Sequence, residues 1–271
     1  MTKQLISFGQ LKNKRYKGIL IDVDLTLTNS LHIISVKTQD VIRKVSKKIP
    51  VGLCTGRSFA MLRNYILKFF PNASLHVLSG GGEVSTSTGK AIWQQNIKSN
   101  LVKHIAIEVE KMRGEFCFSK GNTLYGSKHI LNNYSKHPWN IKTDFPHNLG
   151  SWDTPLISIV DINKDVKSFI LSLSSINAKE MMGPDGLPYF DITKKGINKS
   201  LGAKKWTKIL NIDLTDVIAF GDNLNDIELL QKVGTGIAMG IANDEVKKAV
   251  KFIIGDTDND SLALCLEQLF L

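Results

Sequence analysis

The chain has 271 residues, 42% of them hydrophobic and 22% charged, with a formal net charge of +10. This is ordinary globular composition, with enough apolar material for one large domain or two modest ones. No run of about eighteen apolar residues occurs, so a membrane-spanning helix is not expected. The positive charge sits in lysine-rich stretches such as 12–17 and 43–48, which carry no recognisable nucleic-acid motif and argue for a solvated surface attractive to anions over a nucleic-acid face.

In chain order, KGILIDVD (17–24) reads as a buried strand ending in acids. A helix is expected from Thr38 to Lys48, a second strand at 49–56, a helix over 58–69 and a third strand at 74–81. Short apolar strands separated by helical periods imply crossover connections and a parallel sheet. The pattern then changes. Residues 83–93 alternate around a Ser-Thr-Gly-Lys turn and predict a β-hairpin, followed by an amphipathic helix from Ile97 to Met112 and strand-like sequence at 115–127. Residues 128–153 are polar, hold several histidines and predict no regular element. A strand at 156–162, a helix at 163–175 and two short strands flanking Gly183-Pro-Asp-Gly186 complete a mixed stretch. After Gly196 the alternation resumes: helix 198–210, strand 217–222, helix 225–232, strand 235–240, helix 243–250, strand 252–256 and a final helix. The expected architecture is α/β, with a doubly wound, mainly parallel Rossmann-like core from residues 1–84 and 191–271. An α+β cap is expected at 85–190.

Asp22 and Asp24 stand where the first strand runs out, Thr55-Gly56-Arg57 ends the second, and Gly221-Asp222 ends a later one, with Asn225 and Asp226 a turn beyond. Ligands of open α/β sheets bind outside the carboxyl ends of the strands. Each residue alone would be explained as a helix cap, but acids gathered from several strands need a cation. Asp22 and Asp222 with backbone and water oxygens suit octahedral Mg²⁺, and the absence of His or Cys from these motifs weighs against zinc. A carboxylate so placed can be the nucleophile of aspartyl-phosphate chemistry. An acid two residues later can protonate the leaving oxygen and then deprotonate water, while a threonine hydroxyl, backbone N–H groups and a lysine hold the phosphoryl oxygens.

Asp22-Val-Asp24-Leu-Thr26, Thr55-Gly56-Arg57, a lysine in Gly196-Ile-Asn-Lys199-Ser, and Gly221-Asp222-xxx-Asp226 resemble the four ordered motifs of the haloacid dehalogenase superfamily. DITKKGINKS (191–200), AFGDNLND (219–226) and GIAMGIA (236–242) are similar to blocks of its Cof-like, type IIB branch. The resemblance implies a Mg²⁺-dependent phosphatase acting on small phosphorylated metabolites such as sugar phosphates. Asp22 would be nucleophile and metal ligand, Asp24 general acid/base with its backbone carbonyl on the metal, and Asp222 the second carboxylate ligand. Thr55, Gly56, Arg57, Lys199 and Asn225 would contact the substrate, and Asp226 would orient a metal-bound water. Leu25 replaces the glycine usual after the second acid, and Ser79-Gly80-Gly81-Gly82 stands where the branch shows Asn-Gly-Ala; there it predicts a flexible joint with the cap.

Two other readings use the same residues. A hexose phosphomutase would share the nucleophile, but Thr-Gly-Arg favours hydrolysis; a non-catalytic phosphometabolite-binding protein would not need the full set Asp22, Asp24, Thr55, Lys199 and Asp222. The first ten residues, MTKQLISFGQ, lack the apolar core of a signal peptide, so a cytoplasmic location is expected. Cys54, Cys117 and Cys265 are widely spaced with no Cys-x-x-Cys pair, against a disulfide framework or zinc site. His104, His129, His137 and His147 have no ligand spacing and read as surface residues, Trp139 and Trp152 as packing residues, and 256–260 (DTDND) as a turn capping the last helix. The sequence sets neither the substrate's identity nor the oligomeric state.

Overall fold

The computed structural model describes residues 9–12, 14–182 and 186–271. Residues 183–185 of the expected turn and the N-terminal residues 1–8 lie outside the described residues. The strands in chain order are β1 (Gly18–Ile21), β2 (Val51–Leu53), β3 (Leu75–Leu78), β4 (Glu83–Thr86), β5 (Ala91–Gln94), β6 (Glu115–Lys120), β7 (Thr123–Gly126), β8 (Thr143–Asp144), β9 (Leu156–Val160), β10 (Ile176–Met182), β11 (Pro188–Lys194), β12 (Val217–Gly221), β13 (Thr235–Ala238) and β14 (Phe252–Ile253).

The parallel sheet has the order β14-β13-β12-β1-β2, and a parallel bridge from Cys54 to Val77 carries it on to β3. Both faces are apolar, as a doubly covered sheet requires. Ile19, Ile21, Ile218 and Phe220 point to one side, under the helices Val36–Val45 and Ser261–Phe270; Leu20, Val217 and Ala219 point to the other, against Ala203 and Trp206 of the helix Lys199–Leu210. The helix Val36–Val45 is capped by Ser35, whose Oγ accepts the Thr38 N–H at 3.1 Å, and buries Thr38, Val41, Ile42 and Val45 at helical spacing. Emptying one such site, as in Phe220→Ala, removes about 3–5 kcal/mol of stability.

A second layer is a six-stranded sheet of order β10-β11-β9-β6-β7-β8, antiparallel except for β7–β8. The helices Ser99–Lys111 and Lys164–Ser172 cover one face, where Phe116, Phe118, Ile157, Ile159, Phe190 and Ile192 are buried. The hairpin β4–β5 pairs with β3. The other face of the second layer meets the carboxyl ends of the parallel strands, where Ser119 Oγ and Ser58 Oγ share a hydrogen bond and Trp139 Nε1 donates to the His32 carbonyl at 2.9 Å.

Several expectations change. The helix expected over 58–69 is broken into Phe59–Leu62 and a 3₁₀ turn, Ile66–Phe69, with Tyr65 between them at φ −127°, ψ −68°. Tyr65 stacks on Trp139 and its hydroxyl accepts the Ile34 N–H at 3.2 Å; those tertiary contacts outweigh the weak preference of so short a helix. The polar stretch 128–153 contains a helix, Lys128–Ser135, and buries Trp139 to 2% exposure. Ser79–Gly82 is no loose joint. Ser79 and Gly81 are buried, the Ser79 and Gly80 N–H groups donate to the carbonyls of Arg57 and Thr55, and a Cβ on Gly81 (φ +95°) would lie 2.0 Å from the Asn198 carbonyl oxygen. Among the described residues no helix is long and apolar enough to cross a membrane, and all three cysteines are free and buried.

Candidate active site

Register places the acids. Ile21 pairs with Phe220, so Asp22 and Asp222 follow neighbouring parallel strands beyond the same sheet edge, and the Asp22 N–H donates to the Phe220 carbonyl at 3.0 Å. On the other side the Cys54 N–H donates to Ile21, bringing Thr55 to that edge. The helix that carries Lys199 begins at this point, fixed by Asn198, whose Oδ1 accepts the Leu201 N–H at 2.9 Å. Lys199, 2% exposed, reaches across to donate to Asp22 Oδ1 at 2.8 Å and to Asp226 Oδ1 at 2.6 Å.

Asp22, Asp222 and Asp226 present carboxylate oxygens that all lie within 4.8 Å of one another. Burial pushes the Asp22 carboxyl up to about 7, with Asp226 and Asp24 adding to the shift and Lys199 opposing it. Asp222 is raised well above the ordinary range by burial and then by Asp22 and Asp226. Burial also works against the charge of Lys199, yet the two carboxylates it touches hold it protonated. One ammonium cannot balance three buried carboxylates. A divalent cation would, so the donor set fits one: all oxygen, partly accessible at Asp22 and Asp222, and free of His and Cys. Asp226 is the least available of the three. Its Oδ1 meets Lys199, and its Oδ2 accepts the N–H groups of Asp222 and Asn223 at 3.3 and 3.1 Å.

Asp24 stands apart from that cluster. Arg57 grips it with both arms, Nε on Oδ2 and Nη2 on Oδ1, each at 2.7 Å. Burial alone would raise the Asp24 carboxyl, but Arg57 and then His32 outweigh it and hold it well below the usual carboxylate range. The Arg57 guanidinium lies over the Trp139 ring at 4.4 Å, and its Nη1 is buried without a hydrogen-bond partner. Thr55 is buried, its Oγ1 accepting the Arg57 N–H at 3.1 Å. Asn225 Oδ1 is buried and unpartnered. All the positions singled out in the sequence therefore gather at one end of the parallel sheet.

Several residues at the site had no role there assigned from the sequence. Thr26 Oγ1 donates to Asp222 Oδ1 at 2.9 Å; the Asp-x-Asp-x-Thr spacing was its only signal. Leu25 adopts the left-handed conformation (φ +55°) that glycine takes without cost, so the loop keeps its path, and Thr257 of the DTDND turn donates to the Leu25 carbonyl at 2.8 Å. His137 is half-buried against His32 and Trp139, and burial, with Arg57 and His32 nearby, lowers it to about 4. It is not the surface residue the sequence suggested.

The sequence pattern of haloacid dehalogenase-like hydrolases matches residues 19–266, and the chain belongs to that family. It is 26% identical to the 5-amino-6-(5-phospho-D-ribitylamino)uracil phosphatase YcsE of Bacillus subtilis, over 94% of this chain and 96% of that one. It is 44% identical over 73 residues to the pyridoxal phosphate phosphatase YbhA of Escherichia coli, 27% of each chain. A haloacid dehalogenase-like hydrolase from Bacteroides thetaiotaomicron has the same fold, with a TM-score of 0.80 at 22% identity over 94% of this chain and 100% of that one. The subclass IIB sugar phosphatase BT4131 matches with a TM-score of 0.75 at 20% identity, over 93% and 98%.

Proposed function

We propose that the chain is a Mg²⁺-dependent phosphatase that hydrolyses small phosphomonoesters, sugar phosphates or similar metabolites, through a phosphorylated Asp22. The observation that carries this reading is the buried set of Asp22, Asp222 and Asp226 around Lys199, at the ends of two adjacent strands, β1 and β12. Asp22, Asp222 and the Asp24 backbone carbonyl would hold the ion. When bound, it would neutralise carboxylate and phosphate charge so that two anions can meet.

Within this reading, Asp22 attacks phosphorus while Lys199 and the Thr55 hydroxyl hold the phosphoryl oxygens. Asp226 anchors Lys199 and Thr26 orients Asp222. The unpaired Nη1 of Arg57 is directed to a phosphate oxygen, and turning that guanidinium toward substrate loosens its hold on Asp24. Freed of that grip, Asp24 can take up a proton from solvent, give it to the departing oxygen, and take one from water in the second step. The cap in this reading is the second layer, from the helix Ser99–Lys111 through β11 (Pro188–Lys194), in place of the expected 85–190, because β4–β5 pairs with β3 and β11 runs on past Asp191. It brings its polar sheet face over the strand ends and keeps water out during transfer. Two of the relatives are named as phosphatases of small phosphorylated compounds, which supports hydrolysis over phosphoryl return to substrate.

The test is release of phosphate from an aryl phosphate with and without Mg²⁺, in the parent protein and in Asp22→Asn. We expect release that depends on Mg²⁺ and disappears in the variant. Undiminished activity of a verified Asp22→Asn sample would remove the nucleophile from this scheme.

A further inference from the structure

β10, β11, β9 and β6 lie side by side, and their register aligns one row of residues across the second layer: Lys179 opposite Asp191, Asp191 opposite Ser158, Ser158 opposite Cys117. Phe190 and Ile192 face the two covering helices, so period-2 alternation turns Asp191 the other way, toward the core. There its Oδ2 lies so close to Gly56 that a Cβ on that glycine would come within 2.7 Å of it. Gly56 is the middle residue of the Thr-Gly-Arg turn, so the second layer delivers a carboxylate to the mouth of the phosphate site.

The hydrogen bonding of that carboxylate is half complete. Ser158 Oγ donates to Asp191 Oδ1 at 2.7 Å and fixes the side chain. No donor among the described residues meets Oδ2. Lys179, its cross-strand neighbour, is committed elsewhere, its Nζ donating to the Leu224 carbonyl. Arg57 is spent on Asp24. Oδ2 is thus the acceptor left open to a ligand that brings a hydroxyl donor to this point.

We propose that Asp191 is a specificity-determining residue: its Oδ2 accepts a hydrogen bond from a hydroxyl group on the leaving-group side of the phosphoester. The preferred substrate is then a monophosphate of a polyol or sugar with no second anionic group near the scissile bond. The proposal rests on the phosphatase reading. A hydroxyl donor completes the carboxylate, whereas a second phosphate or carboxylate would meet it with like charge at short range. A site built to hydrogen-bond a substrate hydroxyl rejects the analogue that lacks it more strongly than an apolar pocket could.

The experiment compares kcat/KM for a panel of sugar and polyol monophosphates, a phosphorylated sugar acid and an aryl phosphate without hydroxyls. The proteins are the parent, Asp191→Ala, Asp191→Asn and Ser158→Ala, each checked by thermal melting. We expect Asp191→Ala to lower the ratio of polyol-phosphate to aryl-phosphate kcat/KM by roughly 10- to 100-fold, the range for a hydrogen bond to a charged group. Ser158→Ala, which frees the carboxylate to swing, should lower it less. Asp191→Asn keeps an acceptor oxygen, so it should retain most of the hydroxyl preference while accepting the phosphorylated sugar acid better than the parent does. An equal fall on all substrates would make Asp191 a structural residue, and an unchanged ratio in Asp191→Ala would remove it from recognition; either result overturns the proposal. A parent protein that hydrolyses none of the panel, the aryl phosphate included, would instead overturn the phosphatase reading.

Discussion

Replacing Lys199 by methionine keeps the bulk of the side chain and removes the cation from a cluster of three carboxylates. The lysine is 2% exposed and makes two ion pairs, at 2.8 Å to Asp22 and 2.6 Å to Asp226. Breaking a buried ion pair by deleting one partner typically costs about 3–5 kcal/mol. For a chain of 271 residues, roughly 2.1 cal/mol/K of unfolding entropy per residue makes ~4 kcal/mol a melting-point drop of about 7 °C. The same loss appearing in the transition state would slow turnover about 10³-fold. The pH dependence has a definite sign. Burial raises Asp22 and Asp222, and without the lysine less opposes it. Carboxyls with folded values above their unfolded ones bind protons more tightly in the native state, so the variant loses most at pH 8 and least near pH 5. Mg²⁺ should return part of the loss at pH 8. Calorimetric melts of metal-free parent and variant at both pH values, repeated with Mg²⁺, measure all of this. A variant melting within about 2 °C of the parent at pH 8 in metal-free buffer would refute the view that Lys199 is the cluster's counter-charge.

Thr26→Val preserves shape but takes the hydrogen bond from Asp222; the apparent Mg²⁺ affinity in an activity titration should fall about 10- to 100-fold, as for other groups that orient a metal ligand. Gly81→Ala places a methyl group 2.0 Å from the Asn198 carbonyl at φ +95°, against backbone that cannot move without shifting the Lys199 helix. It should cost about 3 kcal/mol or more in urea unfolding and lower activity together with stability; a near-neutral result would restore the idea of a pliable joint at Ser79–Gly82. Burial pushes the Asp191 carboxyl up to about 6, with Ser158, Lys199 and Arg57 opposing. Its protonated form therefore favours the native state, and that contribution is lost as pH rises from the unfolded value toward 6. Urea midpoints at pH 4.5 and 7 should show the parent losing more over this range, relative to Asp191→Asn, and parallel profiles would contradict the raised value.

The parallel strands were legible because their apolar runs are short, bounded by polar turn residues, and separated by helices long enough to cross over. The polar site residues were legible for a related reason: a strand end is a local feature, and Asp22, Thr55 and Asp222 each sit on one. Ser79–Gly82 misled because glycine permits either mobility or a tight approach, and only the Asn198 carbonyl beside Gly81 decides between them. The helix over 58–69 misled because its spacing is sound locally, while Tyr65 is drawn to Trp139, a residue far along the chain.

By itself, then, the sequence determined the alternation that builds the core and the set of polar groups at its edge, since both depend on neighbours along the chain. Tertiary structure alone decided how those groups are paired. Arg57 holds Asp24 and rests on Trp139, Thr26 turns Asp222, Asp226 steadies Lys199, and Asp191 descends from the second layer onto Gly56. These contacts depend on strand order and on which face of a sheet meets another, and those are set by the packing of whole layers rather than by any stretch of residues.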